Sequence, residues 1–312
     1  MNAFIRRGGV SPLLGLILSL VPAARAEWVR SETELAWRHD GQDLWRFSFD
    51  PAKGKPFFHP LTTGGPSLTH FKPQDHPWHY GLWFSWKYIN QVNYWEESRQ
   101  SGLAAGATRW SPPRIETKPD GSAQIRLDVT YRHPSGRVEL TERRELSVSA
   151  PSANGAYTID WRAHFTAGSE GALLDRTPMP GEPKGAVNGG YAGLSIRMAA
   201  APVTIGFVST ESAIERFVSD RARPEAPAVA CNFTADGREA GSVAILSDPA
   251  NDGENAAWYL IKSAQMRFAC AAILARKPRA IPPHGEFDLR YRVVVRRNAW
   301  TPLELKMAGR QW

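Results

Sequence analysis

The sequence predicts an all-β fold, a large antiparallel β-sandwich, on three observations. Short apolar runs alternate with a period of two. Turn residues punctuate them, 24 prolines and 26 glycines in all. No segment beyond the first 26 residues sustains a helical period. Taken in order, residues 1–26 read as an export signal. Arg6 and Arg7 form its basic region, Leu13 to Val21 its apolar region, and Ala24-Arg25-Ala26 an A-x-A cleavage site. The expected location is therefore periplasmic or secreted, with no stable membrane insertion after cleavage; a retained N-terminal anchor is the alternative. Residues 27–312 are expected to form a single β-sandwich domain, with two stacked β-domains as the runner-up.

Along that domain, Ala123 to Tyr131 alternates through Ile125, Leu127 and Val129. His133-Pro134-Ser135-Gly136 then turns into Val138 to Val148, an antiparallel hairpin pattern. The Glu-Arg-Arg-Glu stretch of the second run is expected to face solvent. Tyr157 to Phe165, Val203 to Val208, Val243 to Leu246, Arg267 to Leu274 and Phe287 to Val295 repeat the theme. A short helix is expected around Ser209 to Val218, and Ala167 to Asn188 reads as a long loop.

Charge narrows the partners. Removing the signal takes Arg6, Arg7 and Arg25 from 38 basic residues and nothing from 31 acidic ones, so the formal charge falls from +7 to +4. The excess is spread along the chain without the basic stripe of a nucleic-acid site. Cys231 and Cys270 sit in apolar runs. They are either a disulfide, which export permits, or two buried thiols, and neither has a metal-ligand partner at short spacing.

The candidate site lies in Lys55 to Trp95. Four of the eight histidines (His59, His70, His76, His79) fall there, among Phe57, Phe58, Trp78, Tyr80, Trp83, Phe84, Trp86, Tyr88, Tyr94 and Trp95. Imidazoles set among flat apolar faces suit a pocket that stacks a ring and moves a proton. His76 and His79 are the acid/base candidates, with His59 nearby and Asp75 orienting its neighbour. A spacing of three puts them on one face of a helix and on opposite faces of a strand. Pro77 disfavours both, so a loop or a strand entry is expected, where the two rings can converge. Trp78 and Trp95 are the stacking candidates; Asn93, Glu96, Tyr191, Arg197 and Asn251 are the polar and distal contacts. An inward Arg197 suits a carboxylated or hydroxyl-rich ligand. No cofactor is predicted. If a transition metal is bound, His59, His76 and His79 are its expected ligands.

Lys55-Pro56-Phe57-Phe58-His59-Pro60-Leu61, Asp75-His76-Pro77-Trp78-His79-Tyr80-Gly81-Leu82-Trp83-Phe84 and Asn90 to Trp95 carry a resemblance to the bacterial family labelled methane oxygenase PmoA. Weaker echoes fall at Gly189 to Leu194, at Asp248 to Asn251 with Trp258, and at Leu289 to Arg292. Trp78 stands where that family commonly has a second His, and Tyr80 where it has Arg. The label does not carry methane oxidation with it: a particulate methane monooxygenase subunit of that name spans the membrane many times. This sequence has no run of about 20 apolar residues after the signal. The β-rich pattern and the His-aromatic cluster are similar instead to the sandwiches of sugar mutarotases, an analogy of fold. The expected function is carbohydrate-directed catalysis, isomerisation or bond cleavage, on a small-molecule or glycan ligand. The alternatives are a non-catalytic sugar-binding protein and a His-ligated metal-dependent oxidoreductase. Oligomeric state is not encoded in any feature of the sequence.

Overall fold

A computed structural model describes residues 26–200 and 202–310. The expected signal lies outside the described residues except for Ala26, which opens the first strand. Among the described residues, two ten-stranded sheets and one four-stranded sheet form, with every pairing antiparallel. The first sheet runs from Ala26–Arg30 through Phe57–Leu61, Leu82–Ser85, Gly193–Arg197 and Arg267–Ala271 to Ala256–Lys262 and Arg221–Ala222. The second centres on Arg238–Ser247, Glu286–Arg296, Tyr157–Ala167, Val138–Val148 and Ala123–Arg132. The small sheet joins Arg279–Ile281, Ala172–Asp175, Tyr88–Ile89 and Val92–Asn93. No described helix is long and apolar enough to cross a membrane.

The two large sheets pack face to face, as the alternation requires. Phe58 meets Trp161 at 6.5 Å between ring centroids, Phe84 meets Phe165 at 5.6 Å, and Trp86 meets Phe165 at 5.3 Å. One continuous buried core draws residues from both sheets. Each such ring contributes roughly 1.5–3 kcal/mol on leaving water. The hairpin turn forms at His133 to Gly136, where Gly136 adopts φ 91° and donates to the His133 carbonyl at 2.8 Å.

The structure departs from expectation at four places. Glu142 and Arg144 do not face solvent: they share the inward parity of Leu140 and Leu146 and are buried together, their charges paired. Residues 209–218 form no helix. Ser209 instead closes a turn with Ser212, and Ala213–Ile214 pairs back on Thr204–Ser209. The long loop after Ala167 contains the strand Ala172–Asp175. A helix does form at Pro302–Arg310. Glu304 accepts from the Thr301 N–H at 3.0 Å while Thr301 Oγ1 accepts from the Glu304 N–H at 3.3 Å. Both cysteines are free buried thiols. Cys231 packs between the sheets and Cys270 on the outer face of the first sheet, so the sheet itself separates them.

Candidate functional site

The first sheet is apolar on both faces, and its outer face floors the site. Pairing aligns Phe57, Trp83, Ser195, Cys270 and Tyr259 in one row across five strands. A neighbouring row carries Arg197, Phe268, Ile261 and Arg221. These residues have the parity opposite to the core residues Leu82, Phe84, Ile196, Ala269 and Leu260. The four aromatic ones form a second buried cluster together with Trp95 and Tyr191.

Over this floor lies the segment from His70 to Gly81. Its ends are zipped by a bridge between Phe71 and Tyr80 and by the Lys72 N–H donating to the His79 carbonyl at 2.8 Å. Between them two successive turns form, His76 N–H to Pro73 O and His79 N–H to His76 O, both at 3.0 Å. Bonds of this i to i+3 kind bring residues three apart into eclipse. That places the imidazoles of His76 and His79 face to face, 4.8 Å apart and inclined by 25°. Gly81 is obligatory at the exit: its φ is 78°, and a Cβ there would sit 2.4 Å from the Phe58 carbonyl oxygen.

His76 Nδ1 lies 2.9 Å from Asp75 Oδ2, and Arg197 Nη2 donates to both Asp75 oxygens at 3.0 and 2.9 Å. Burial works to raise the Asp75 carboxyl, but the bonds from His76 and Arg197 outweigh it and hold the group below the usual carboxylate range. An anionic Asp75 takes the Nδ1 proton of His76 as its bond donor and leaves Nε2 as the basic nitrogen. Arg99 steadies this turn by donating to the carbonyls of Gln74 and Asp75, both at 3.0 Å.

His79 is 2% exposed, stacked between His76 and Phe268, the latter at 5.1 Å. Burial first, then the His76 ring and the nearby positive charges of Arg197 and Lys55, push it well below the ordinary imidazole range. Arg197 Nη1 faces Nδ1 of His79 at 3.5 Å, a long contact from a group that can only donate. The neutral ring therefore keeps its proton on Nε2. The two stacked histidines carry opposite tautomers, one a base and one a donor.

The opposite wall is built by Asn93 to Glu97. Asn93 Oδ1 accepts the N–H groups of Trp95 and Glu96 at 2.8 and 3.1 Å, and its amide donates to Glu96 Oε2 at 2.6 Å. Lys87 pairs with the same oxygen, while Tyr191 Oη donates to Glu96 Oε1 at 2.6 Å. Burial works to raise the Glu96 carboxyl, but these partners, Lys87 foremost, bring it below the ordinary range. Glu96 is thus a fixed anion. Tyr191, raised by burial and by that anion, stays protonated and donating. Glu97 ties the two walls together, accepting from Tyr80 Oη at 2.5 and 2.6 Å and from Lys55 Nζ at 2.6 Å.

The cleft between these walls has a volume of about 210 Å³. Of the sequence-predicted site residues, His76, Trp78, His79, Trp95, Glu96 and Tyr191 line it. Asp75, Asn93 and Arg197 stand behind and hold three of those in place. Two do not belong. His59 bonds Thr69 Oγ1 at 2.8 Å and stacks on Phe71, away from the cleft. Asn251 sits in the helical turn Pro249–Asp252, where its amide bridges Ser247 and Arg290. Among the described residues no three His, Cys, Asp or Glu side chains are placed to hold a metal ion, so the three-imidazole set is not assembled. Reasoning from sequence missed Asn188, Arg221, Tyr259, Ile261, Met266 and Phe268. The run Phe268-Ala269-Cys270-Ala271 is apolar throughout, so nothing in it says which face of the sheet Phe268 takes.

The buried histidines make the fold acid-sensitive. His59 is pushed down to about 4, by burial first and then by His70 and Arg46. His79 is depressed in the same sense. Both are neutral when folded and titrate near 6.5 when unfolded, so the unfolded chain binds more protons below that pH. Stability is full above pH 6.5 and falls as pH drops, at about 1.4 kcal/mol per pH unit for each histidine. The His59 share is spent near pH 4. Urea midpoints measured from pH 7.5 to 4 should decline along that window, with a shallower slope in His59→Gln. A flat profile down to pH 5 would show that the rings are not buried neutral.

The family described as "Family of unknown function (DUF6807)" matches residues 34–308. The chain matches no curated protein. Among solved structures it is similar to a protein from Klebsiella pneumoniae subsp. pneumoniae MGH 78578 assigned as an aldose 1-epimerase. That similarity has 8% identity and a TM-score of 0.48, and covers 92% of this chain and 87% of that one. It is also similar to the Slr1438 protein from Synechocystis sp. PCC 6803, with 8% identity, a TM-score of 0.38 and coverage of 95% and 100%.

Proposed function

The chain belongs to the DUF6807 family of unknown function, and from its cleft we propose that it is a carbohydrate-directed enzyme moving protons on a small hydroxyl-rich ring. The observation that carries this reading is the Arg197–Asp75–His76 relay ending at an aromatic-floored cleft. His76 Nε2 takes a proton from a ligand hydroxyl and, as an imidazolium, returns it to a ligand oxygen, while the neutral His79 Nε2–H donates a hydrogen bond to another ligand oxygen and keeps its proton. Trp95 and Phe268 offer flat faces for the ring, and Glu96 accepts its hydroxyl bonds. At about 210 Å³ the cleft lies below the usual 300–1,000 Å³ range for drug-sized ligands, which favours one ring over a polymer.

Isomerisation is favoured over bond cleavage. Most glycoside hydrolysis uses two carboxyl groups flanking the scissile bond. Of the cleft-lining residues only Glu96 carries a carboxylate, and its oxygens are engaged by Lys87, Asn93 and Tyr191.

The test is to follow anomer exchange of a panel of aldoses by NMR, with binding read in parallel from tryptophan fluorescence. At least one aldose should equilibrate tenfold or more above background, and His76→Ala should abolish that while leaving a measurable Kd. Binding without exchange would instead identify a sugar-binding protein. No binding of any sugar would remove the carbohydrate reading altogether.

A further inference from the structure

Resting on that reading, we infer that the ligand is an anionic sugar, whose carboxylate or phosphate is received by Arg221 at the far wall of the cleft. The carboxylates at and behind the cleft are already matched, Asp75 by Arg197 and Glu96 by Lys87. Arg221 is different. It lines the cleft, yet no carboxylate among the described residues pairs with it. Its Nε donates to Tyr259 Oη at 3.1 Å and its Nη1 to the Ser219 carbonyl, which leaves Nη2 without a protein acceptor among the described residues. These two bonds hold the guanidinium in place while keeping its charge uncompensated.

Arg223 deepens the same field. Its guanidinium lies 4.5 Å from the centre of the Tyr259 ring and is anchored by the Val187 carbonyl at 2.9 Å. It too lacks a carboxylate partner among the described residues. Two arginines beside one tyrosine repel each other, and an anion arriving beside Arg221 relieves that repulsion. Arg221 also lines an adjoining groove that contains Arg216 and Arg223, so the positive wall continues outward from the cleft. Arg197, by contrast, is spent on Asp75 and the Gln265 carbonyl and is not the ligand's anchor. A guanidinium with free N–H groups suits a carboxylate or phosphate in its own plane.

The experiment compares dissociation constants of D-glucose, D-glucuronate, D-galactose, D-galacturonate, glucose 6-phosphate and acetate for the full chain. A charge-assisted bond of about 1.5–3 kcal/mol makes at least one anionic sugar about 10- to 100-fold tighter than its neutral counterpart. Uronate against phosphate distinguishes the two anions. Arg221→Met should collapse the anionic-to-neutral ratio towards one, and Arg221→Lys should restore part of it. A thermal midpoint within a few degrees of wild type verifies that each variant is folded. Equal binding of neutral and anionic sugars overturns the inference but leaves the carbohydrate reading standing. Acetate as tight as the uronates overturns both, since the anion and not the ring would then be recognised. A ratio unchanged in Arg221→Met, or no binding of any probe, also overturns it.

Discussion

Replacing Asp75 with asparagine is expected to lower turnover of the preferred sugar by about 10²- to 10⁴-fold, the range that general acid–base catalysis contributes. The reason lies in hydrogen-bond directions. Asp75 accepts from two donors, His76 Nδ1 and Arg197 Nη2. Arginine can only donate, so in Asp75→Asn the new amide must turn its carbonyl oxygen to Arg197 and its NH₂ to His76. His76 Nδ1 then becomes the acceptor and the proton moves to Nε2, the nitrogen that should be the base. The loss should appear in kcat, with KM changed only a few-fold, because Asp75 does not itself line the cleft. Asp75 is also about one-third exposed, so the variant should remain folded. A rate within twofold of wild type would reduce the relay to a structural tie. A loss confined to KM would make His76 a binding group.

The candidate site was legible where chemistry and sequence proximity coincide. His76, Trp78, His79, Trp95 and Glu96 lie within one short stretch, and their residue types announced a pocket. Their relative placement was not legible, because Pro77 excludes regular structure and only the tandem turns stack the two rings. The far wall was hidden for another reason. Tyr259 and Phe268 lie in continuous apolar runs that carry no sign of which face each takes, and only the pairing register puts them in line with Trp83 and Arg197, residues far away along the chain. The sequence left Arg197 open between solvent and pocket; it is buried, with Asp75 as its partner. Asn251 had the composition of a contact residue and spends its amide on the backbone of Arg290. The C-terminal helix was missed because nine residues are too few to show a period. Its Thr301-Pro302-Leu303-Glu304 cap was the available signal.

Glu142 and Arg144 show parity overruling charge, and the same pair leads to the largest expected loss of stability. Counting by twos from Leu140 to Leu146 puts both inside, where charged side chains almost never go unless paired. Here they are paired. Arg144 Nε and Nη2 donate to the two Glu142 oxygens at 2.5 and 2.8 Å, Tyr131 Oη donates to Glu142 Oε2 at 2.7 Å, and the guanidinium lies 4.7 Å from the Trp161 ring centre. The side chains of Arg144 and Glu142 are 1% and 0% exposed. Arg144→Met removes the cation and strands a carboxylate between two sheets, which is expected to cost about 3–5 kcal/mol in urea-unfolding free energy. The double variant Glu142→Leu with Arg144→Met removes both charges and should recover most of that loss, because an apolar pair of similar volume is often as stable as a buried ion pair. The recovery separates the two sources of the effect. If the double variant stays as unstable as Arg144→Met, the loss comes from the stacking on Trp161 and the packing around it, and Arg144 holds the sheets together as a flat surface more than as a charge.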